Sequence, residues 1–155
     1  SAASDVYKRQ RMKGQVVPIL ASVVTGSVVG ILSVVYIARF FGASRLIQDS
    51  LVPKSVTVPI AVTISENIGG ETSITSVVVF VVGIFGALIG FSLMRLLHID
   101  DPVARGLAMG SAAHGIGTAR SIEKGAVEGA LSGLAMALMG VCTALLAPVI
   151  ARFLY

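Results

Sequence analysis

Long apolar runs dominate the pattern of hydrophobic and polar positions along this chain. Three of these runs each contain a window of 23 residues without a charged side chain. At 1.5 Å per residue such a window forms a helix of about 34 Å, which exceeds the hydrocarbon thickness of about 30 Å. The pattern therefore predicts three full transmembrane helices, at about 16–38, 72–97 and 126–151.

The predicted spans are separated by two segments that are more polar than the spans themselves, at about 54–68 and 102–120. The first has only 11 consecutive residues without charge, too few to span, and Pro59 removes a backbone donor in its middle. The second begins with Asp101 before a proline, an N-cap pattern, and then meets three closely spaced glycines. Unpaired backbone groups in hydrocarbon cost on the order of several kcal/mol, so we expect two interrupted or re-entrant helical segments that line a site.

Composition supports an all-α membrane protein. The chain is 55% hydrophobic and 13% charged, with a mean hydropathy of +0.90. We expect one transmembrane domain over 13–155, while the polar residues 1–12 lack the apolar core of a signal peptide and are interpreted as a non-native or disordered leader. The net charge of +4 comes from scattered basic residues, which argues against nucleic acid as a partner. A single cysteine, Cys142, excludes an intrachain disulfide.

Small residues recur four positions apart in all three spans, a spacing that lets helix backbones approach closely in lipid. We therefore expect these positions to form helix contacts, within the chain or in a homo-oligomer. They are Gly26 and Gly30, Gly86 and Gly90, and Gly125, Gly129 and Gly133.

Interrupted membrane helices expose amides that attract anions and carbonyls that attract cations. A small carboxylate is the solute that best suits such amides; His114 can supply a hydrogen bond or a titratable proton, and Arg120 can neutralise the carboxylate. Ionisable groups are costly to bury at membrane depth, so Glu66 is a candidate for carrying a coupling proton or ion. The predicted substrate-binding residues are Ser55, Thr57, Pro59, Ser111, His114, Gly115, Gly117, Thr118 and Arg120. The predicted coupling residues are Glu66, Asn67 and His114.

Structural interpretations compete with these roles. His114 also fits a hydrogen bond to a carbonyl of a neighbouring helix. Arg120 is three residues before Glu123, a spacing typical of a solvated ion pair on a helix. Glu66 fits the water interface beside the Gly69-Gly70 break.

Catalysis and metal binding find less support in the sequence. Ser111 and His114 are three residues apart, but no Gly-x-Ser-x-Gly elbow surrounds the serine and no acid is placed to orient the histidine. His98 precedes Asp100 and Asp101 in a loop that matches no strong metal-ligand spacing. We therefore expect no enzyme, no cofactor and no metal site.

Four sequence blocks stand out for what they resemble together: Pro53-Lys-Ser-Val-Thr-Val-Pro-Ile-Ala61, Gly69-Gly70, Asp101-Pro-Val-Ala-Arg-Gly-Leu-Ala-Met-Gly110 and Ser111-Ala-Ala-His-Gly-Ile-Gly-Thr-Ala-Arg120. Together they resemble the LrgB family, which includes CidB and YohK. The resemblance covers roughly 13–155, and family members have further membrane helices upstream, so this chain is similar to their C-terminal two-thirds.

The resemblance implies a multi-pass protein of the bacterial inner (cytoplasmic) membrane that works with a small LrgA- or CidA-type membrane protein. Bacterial members are described as holin- or antiholin-like modulators of murein hydrolase export and autolysis, and are also linked to pyruvate uptake. Plant plastid relatives exchange glycolate and glycerate. We therefore expect a carrier of small monocarboxylates, with the antiholin-like function as the alternative.

Overall fold

The computed structural model describes residues 15–154; the predicted leader at 1–12 lies outside them. The described chain is helical, and its three longest apolar helices confirm the predicted spans to within three residues at each end. The elements are α1 (Val16–Phe40), α2 (Arg45–Leu51), α3 (Val58–Ile68), α4 (Thr72–Leu96), α5 (Pro102–Lys124) and α6 (Ala126–Leu154).

Large apolar side chains cover the outside of the bundle. On α4, Phe80, Phe85 and Leu88 are each more than half exposed. Similar side chains lie exposed along α1 and α6. Soluble proteins rarely expose apolar patches of this extent, so these surfaces identify a membrane protein whose spans α1, α4 and α6 face lipid.

Glycines let α4 pack closely against α5. A Cβ added at Gly86 would meet Ala113, and one added at Gly90 would meet Met109. Position 86 therefore pairs with 113 and position 90 with 109, so the two helices run antiparallel here. The spacing of Gly86 and Gly90 confirms the predicted close approach of two helix backbones.

The helix α5 is a re-entrant hairpin. At His114 the backbone leaves helical geometry, with φ 41° and ψ −130°, and a Cβ added at Gly117 would lie 2.8 Å from the Met109 carbonyl oxygen. Eight residues of straight helix would separate those positions by about 12 Å. Further out, Arg105 and Lys124 both lie against the ring of Phe91, with their charged groups 5.0 and 5.6 Å from its centroid. We call residues 102–113 the first arm and 115–124 the second arm.

The chain then turns at Gly125 into α6, which packs on both arms. A Cβ added at Gly106 would lie 2.6 Å from the Glu128 carbonyl, and one at Gly110 would meet the Ser132 carbonyl, so the first arm runs parallel to α6. Gly129 packs on Ile122 and the Thr118 hydroxyl lies 2.9 Å from the Ser132 hydroxyl, so the second arm runs antiparallel to α6. Both ends of α5 therefore lie on one membrane face, together with the end of α4 and the start of α6; we call it the α5 face.

The span α1 runs parallel to α6. The buried hydroxyls of Ser27 and Thr143 are 3.1 Å apart, and Arg39 donates to the Leu154 carbonyl at 3.2 Å. The ends of α1 and α6 therefore lie on the opposite membrane face, where α4 begins; we call it the α3 face.

The helix α3 starts at membrane depth and ends at the α3 face. A Cβ added at Gly140, the central residue of α6, would lie 2.8 Å from Ile60, which is in the first turn of α3. The predicted interruption of a helix by Pro59 is wrong in position. Because α3 begins at Val58, Pro59 lies in the first turn, where no intrahelical bond needs its missing N–H. The non-helical stretch lies earlier, at 52–57.

A cluster of buried, hydrogen-bonded hydroxyls connects α2, α3 and α4 at the α3 face. Ser50 accepts from the backbone N–H of Glu71 at 2.7 Å, and the Thr75 hydroxyl lies 2.7 Å from the Ser65 hydroxyl and 2.9 Å from the Ser50 carbonyl. The turn passes between them at Gly70, where any Cβ would collide with Ser65 and Ser50. This cluster fixes the point where the chain leaves α3 and enters α4.

Other predicted glycine contacts are absent within residues 15–154. A Cβ at Gly26, Gly30 or Gly133 would meet nothing within 4 Å, because these glycines face open space beside α1 and α6. The spacing of small residues identifies close contacts only where a neighbouring helix lies on the same face.

Candidate functional site

The beginnings of two half-helices converge on one face of α6. Ile60, in the first turn of α3, packs on Gly140, and a Cβ at Gly115, the first residue of the second arm of α5, would lie 3.9 Å from the Met136 sulfur. Met136 and Gly140 are four residues apart and so share a face of α6 at the middle of its length. The two half-helices start at this depth and run to opposite membrane faces, because α3 ends at the α3 face and the second arm at the α5 face.

The N-terminus of α3 is open. The side chain of Thr57, the N-cap residue, makes no capping hydrogen bond, and the first intrahelical bond runs from Ala61 N–H to the Thr57 carbonyl at 2.9 Å. The N–H groups of Val58 and Ile60 precede that bond and have no carbonyl partner inside the helix. Free amides and the helix dipole make this end attractive to an anion.

At the tip of the α5 hairpin, His114 is buried and donates from Nε2 to the Val79 carbonyl of α4, 2.9 Å away. The bond agrees with the structural interpretation of this histidine. Since a carbonyl only accepts, Nε2 carries a proton and Nδ1 is the nitrogen left to exchange one. Gly83 makes room, because a Cβ there would lie 2.7 Å from the imidazole.

The backbone of His114 is strained as well as buried. Its φ of 41° is in a region that non-glycine residues rarely occupy, although a glycine follows at position 115. Residues in such conformations typically carry about 1–3 kcal/mol of strain and cluster at functional sites. A histidine in this strained conformation therefore marks the tip as a candidate site.

Hydroxyls hold the start of the second arm in place. The Thr118 hydroxyl donates to the His114 carbonyl at 2.8 Å and lies 2.9 Å from the hydroxyl of the buried Ser132 on α6. This arrangement places a hydroxyl pair one turn beyond the tip.

A basic residue, Lys54, lies in the non-helical stretch that precedes α3. The Lys54 ammonium donates to the Ser55 hydroxyl at 3.0 Å, and burial lowers the pKa of Lys54. The charged form is destabilised there, so a carboxylate that neutralised it would be stabilised in turn.

The other predicted site residues lie away from the point where the two half-helices begin. Ser111 lines a cleft of about 420 Å³ between α1 and the first arm. Arg120 is exposed and forms an ion pair with Glu123, as the structural interpretation of its spacing predicts. Glu66 and Asn67 are exposed in the last turn of α3, and Asn67 shares with Pro59 a cleft of about 320 Å³ between α3 and α6.

Sequence reasoning did not single out three residues that shape the tip and its approach. Gly83 belongs to the same face of α4 as Gly86 and Gly90, and its spacing of three from Gly86 was available as a signal. Ser132 and Lys54 carry no signal beyond being polar in apolar surroundings. Within residues 15–154, no cluster of three His, Cys, Asp or Glu side chains could hold a metal ion.

Comparisons with known proteins show which family this chain resembles. The model of the LrgB-like family matches residues 3–153. The chain is similar to the "Uncharacterized protein YwbG" of Bacillus subtilis (strain 168), with 38% identity over 143 residues, 92% of this chain and 64% of the relative. It is also similar to the "Antiholin-like protein LrgB" of Bacillus cereus (strain B4264) and of Bacillus anthracis (strain CDC 684 / NRRL 3495), with 33% identity over 153 residues.

The chain spans 66% of the length of those two LrgB proteins, while 98% of the chain itself is aligned. No solved structure matches it. The family model covers nearly the whole chain, including both re-entrant segments and all three spans. The chain therefore belongs to the LrgB-like family of membrane proteins.

Proposed function

We propose that the protein is part of a carrier that moves small monocarboxylates, of the glycolate, glycerate or pyruvate type, across the bacterial inner membrane. The observation that carries the proposal is the convergence of two half-helix N-termini from opposite membrane faces on Met136 and Gly140. Half-helices that start at membrane depth are a recurrent way of binding an anionic group inside a transporter.

In this proposal the carboxylate binds between the open amides of α3, near Val58 and Ile60, and the first amides of the second arm of α5. Lys54 supplies positive charge on the approach to α3, and the hydroxyls of Thr118 and Ser132 suit the 2-hydroxy or 2-oxo group. Small polar donors at fixed positions give such a site its selectivity.

We further propose that His114 carries a coupling proton on Nδ1 while Nε2 stays bonded to Val79. The hydrogen bond orients the ring, and the strained backbone fixes its direction. Glu66 and Asn67 remain predicted coupling residues, but they belong to the mouth rather than to the tip, since Glu66 lies eight residues, or about 12 Å, along α3 from Val58. Arg120, already paired with Glu123, would attract anions to the α5 face.

The experiment is uptake of labelled glycolate and pyruvate into proteoliposomes that contain the protein expressed from its complete open reading frame. A trapped dye too large for a carrier is followed in the same vesicles. Saturable uptake with the dye retained supports the carrier. Dye release without saturable uptake contradicts it.

The substitution His114→Gly tests the tip directly. Glycine adopts the observed φ without strain, so we expect the fold to persist while uptake falls at least about tenfold, the equivalent of about 1.4 kcal/mol. His114→Ala keeps the strain and serves as the comparison. Unchanged uptake in His114→Gly would remove His114 from the site.

A second candidate is an antiholin-like function, favoured by the printed name of the Bacillus relatives at 33% identity. It would involve a homo-oligomer and a small LrgA- or CidA-type partner. Gly86 and Gly90 pack inside this chain, whereas Gly26 and Gly30 face open space, so oligomer contacts are best tested on α1. Substituting leucine at Gly26 and Gly30 should then abolish dye release or partner binding and leave the isolated chain folded.

A further inference from the structure

A pair of cations lies at the mouth of the α5 hairpin, away from the tip. Phe91 of α4 is buried, and its ring has the Arg105 guanidinium carbon 5.0 Å and the Lys124 ammonium 5.6 Å from the centroid. Arg105 is on the first arm and Lys124 ends the second arm. The two charges are therefore separated by no more than the sum of these distances.

Neither cation has a carboxylate within 4.0 Å among residues 15–154. Two acidic residues that are close to these cations in sequence have other partners: Glu123 pairs with Arg120, and Asp101 accepts from the Ala104 N–H at 2.8 Å. The Nε of Arg105 is buried and, within the same residues, has no hydrogen-bond partner.

This arrangement is unfavourable as it stands. Two like charges repel, and a buried donor of a charged group without an acceptor costs more than a neutral one. The faces of an aromatic ring attract cations, which explains how both are held beside Phe91, but a ring supplies no oxygen acceptor. A bound oxyanion would satisfy the Nε–H and neutralise the pair.

We propose that Arg105 and Lys124 form a second anion site, which takes a single oxyanion group, a carboxylate or a phosphate, at the α5 face. The site lies near the membrane interface, because Phe91 is five residues, or about 8 Å, from the end of α4. An anion there bridges the two arms of the hairpin beside α4. Its source is either a free anion from water or the phosphate of an anionic lipid headgroup.

Thermal unfolding of the purified protein in a neutral detergent tests this site without any transport measurement. The probes are inorganic phosphate at constant ionic strength, and dihexanoyl phosphatidylglycerol compared with dihexanoyl phosphatidylcholine. We compare the wild type with R105Q/K124Q, with the charge-retaining R105K/K124R, and with R95Q. Arg95 is a matched control because it is exposed in the last turn of α4, on the same membrane face.

We expect phosphate or the phosphatidylglycerol to raise the Tm of the wild type and R95Q by about 3 °C, to raise that of R105K/K124R by less because the Nε–H of Arg105 is lost, and to leave R105Q/K124Q unchanged. A shift with phosphate identifies a free-anion site, and a shift with the phosphatidylglycerol alone identifies a headgroup site. Equal shifts in the wild type and R105Q/K124Q, or no shift in the wild type, would overturn the proposal. If R105Q/K124Q does not fold, K124Q at the exposed position is judged by the same criteria.

Discussion

The two re-entrant segments satisfy their backbone hydrogen-bonding groups at membrane depth in different ways. The α5 segment enters and leaves the membrane as helix, and both arms are wedged between α4 and α6 through glycines. The α3 segment enters as non-helical chain over 52–57 and leaves as one short helix, beside an open cleft of about 320 Å³. One half of the proposed site is thus built into the packed core, and the other half lies at its edge.

The difference lies in how each segment satisfies its backbone. In α5 a single strained residue, His114, makes the reversal, so nearly all amides stay within helix. In the first segment the lead-in has to find partners elsewhere, and the helix that follows begins with open amides. The α5 half of the site is therefore held by packing on two spans, whereas the α3 half is anchored through the hydroxyls of Ser50, Ser65 and Thr75 at the end of its helix.

The largest expected effect comes from a substitution that disrupts the packing of α5 on α6. A Cβ at Gly110 would collide with the Ser132 carbonyl, which is backbone and cannot rotate away. Gly110→Leu should cost more than about 3 kcal/mol and prevent recovery of folded protein. Gly133→Leu, at a position with open space, is the control and should be recovered at wild-type levels. The measurement is the monodisperse fraction in size-exclusion chromatography.

The next effect concerns function at the α3 half of the proposed site. Burial lowers the pKa of Lys54, so its charge destabilises the native state at neutral pH and this penalty disappears as the pH rises from the lowered pKa towards the ordinary one. Lys54→Gln removes the charge, so the variant should be as stable as the wild type or more stable.

Uptake by Lys54→Gln should nevertheless fall about tenfold, because a charge-assisted contact to the carboxylate is lost. Thermal unfolding and proteoliposome uptake of the same preparation check both outcomes. Reduced stability together with unchanged uptake would show that Lys54 has a structural role only.

The smallest effect concerns the proline of α3. Pro59 lies in the first helical turn, where its ring fits the backbone and no N–H is needed. Pro59→Ala should therefore change stability by no more than about 1 kcal/mol, and α3 should still begin near Val58. A change of several degrees in Tm would indicate that the proline shapes the segment, as expected from the sequence alone.

The spans could be predicted from the sequence because length and apolarity alone determine them. The break near His114 was also predictable, since glycines surround it. The hairpin depends on long-range contacts, such as those of Gly86 with Ala113 and of Gly110 with Ser132, and the local sequence pattern does not predict them.

The candidate site shows the same limit. A buried histidine was predictable, but its Val79 partner follows from the register of α4 on α5, which Gly83 and Gly86 determine. The prediction that Pro59 interrupts a helix was wrong because a proline is as common at the start of a helix as at a break. Only the observed start of the helix at Val58 decides between the two.

The most direct test asks on which membrane face α5 begins and ends. Single cysteines at Asp100, Ala126, Phe41 and Ser73, all exposed positions, are introduced into a Cys142→Ala background and labelled in sealed vesicles with a membrane-impermeant maleimide. The re-entrant architecture predicts that positions 100 and 126 are labelled from one face and positions 41 and 73 from the other. Labelling of positions 100 and 126 from opposite faces would make α5 a fourth span and contradict the convergence of the two half-helices.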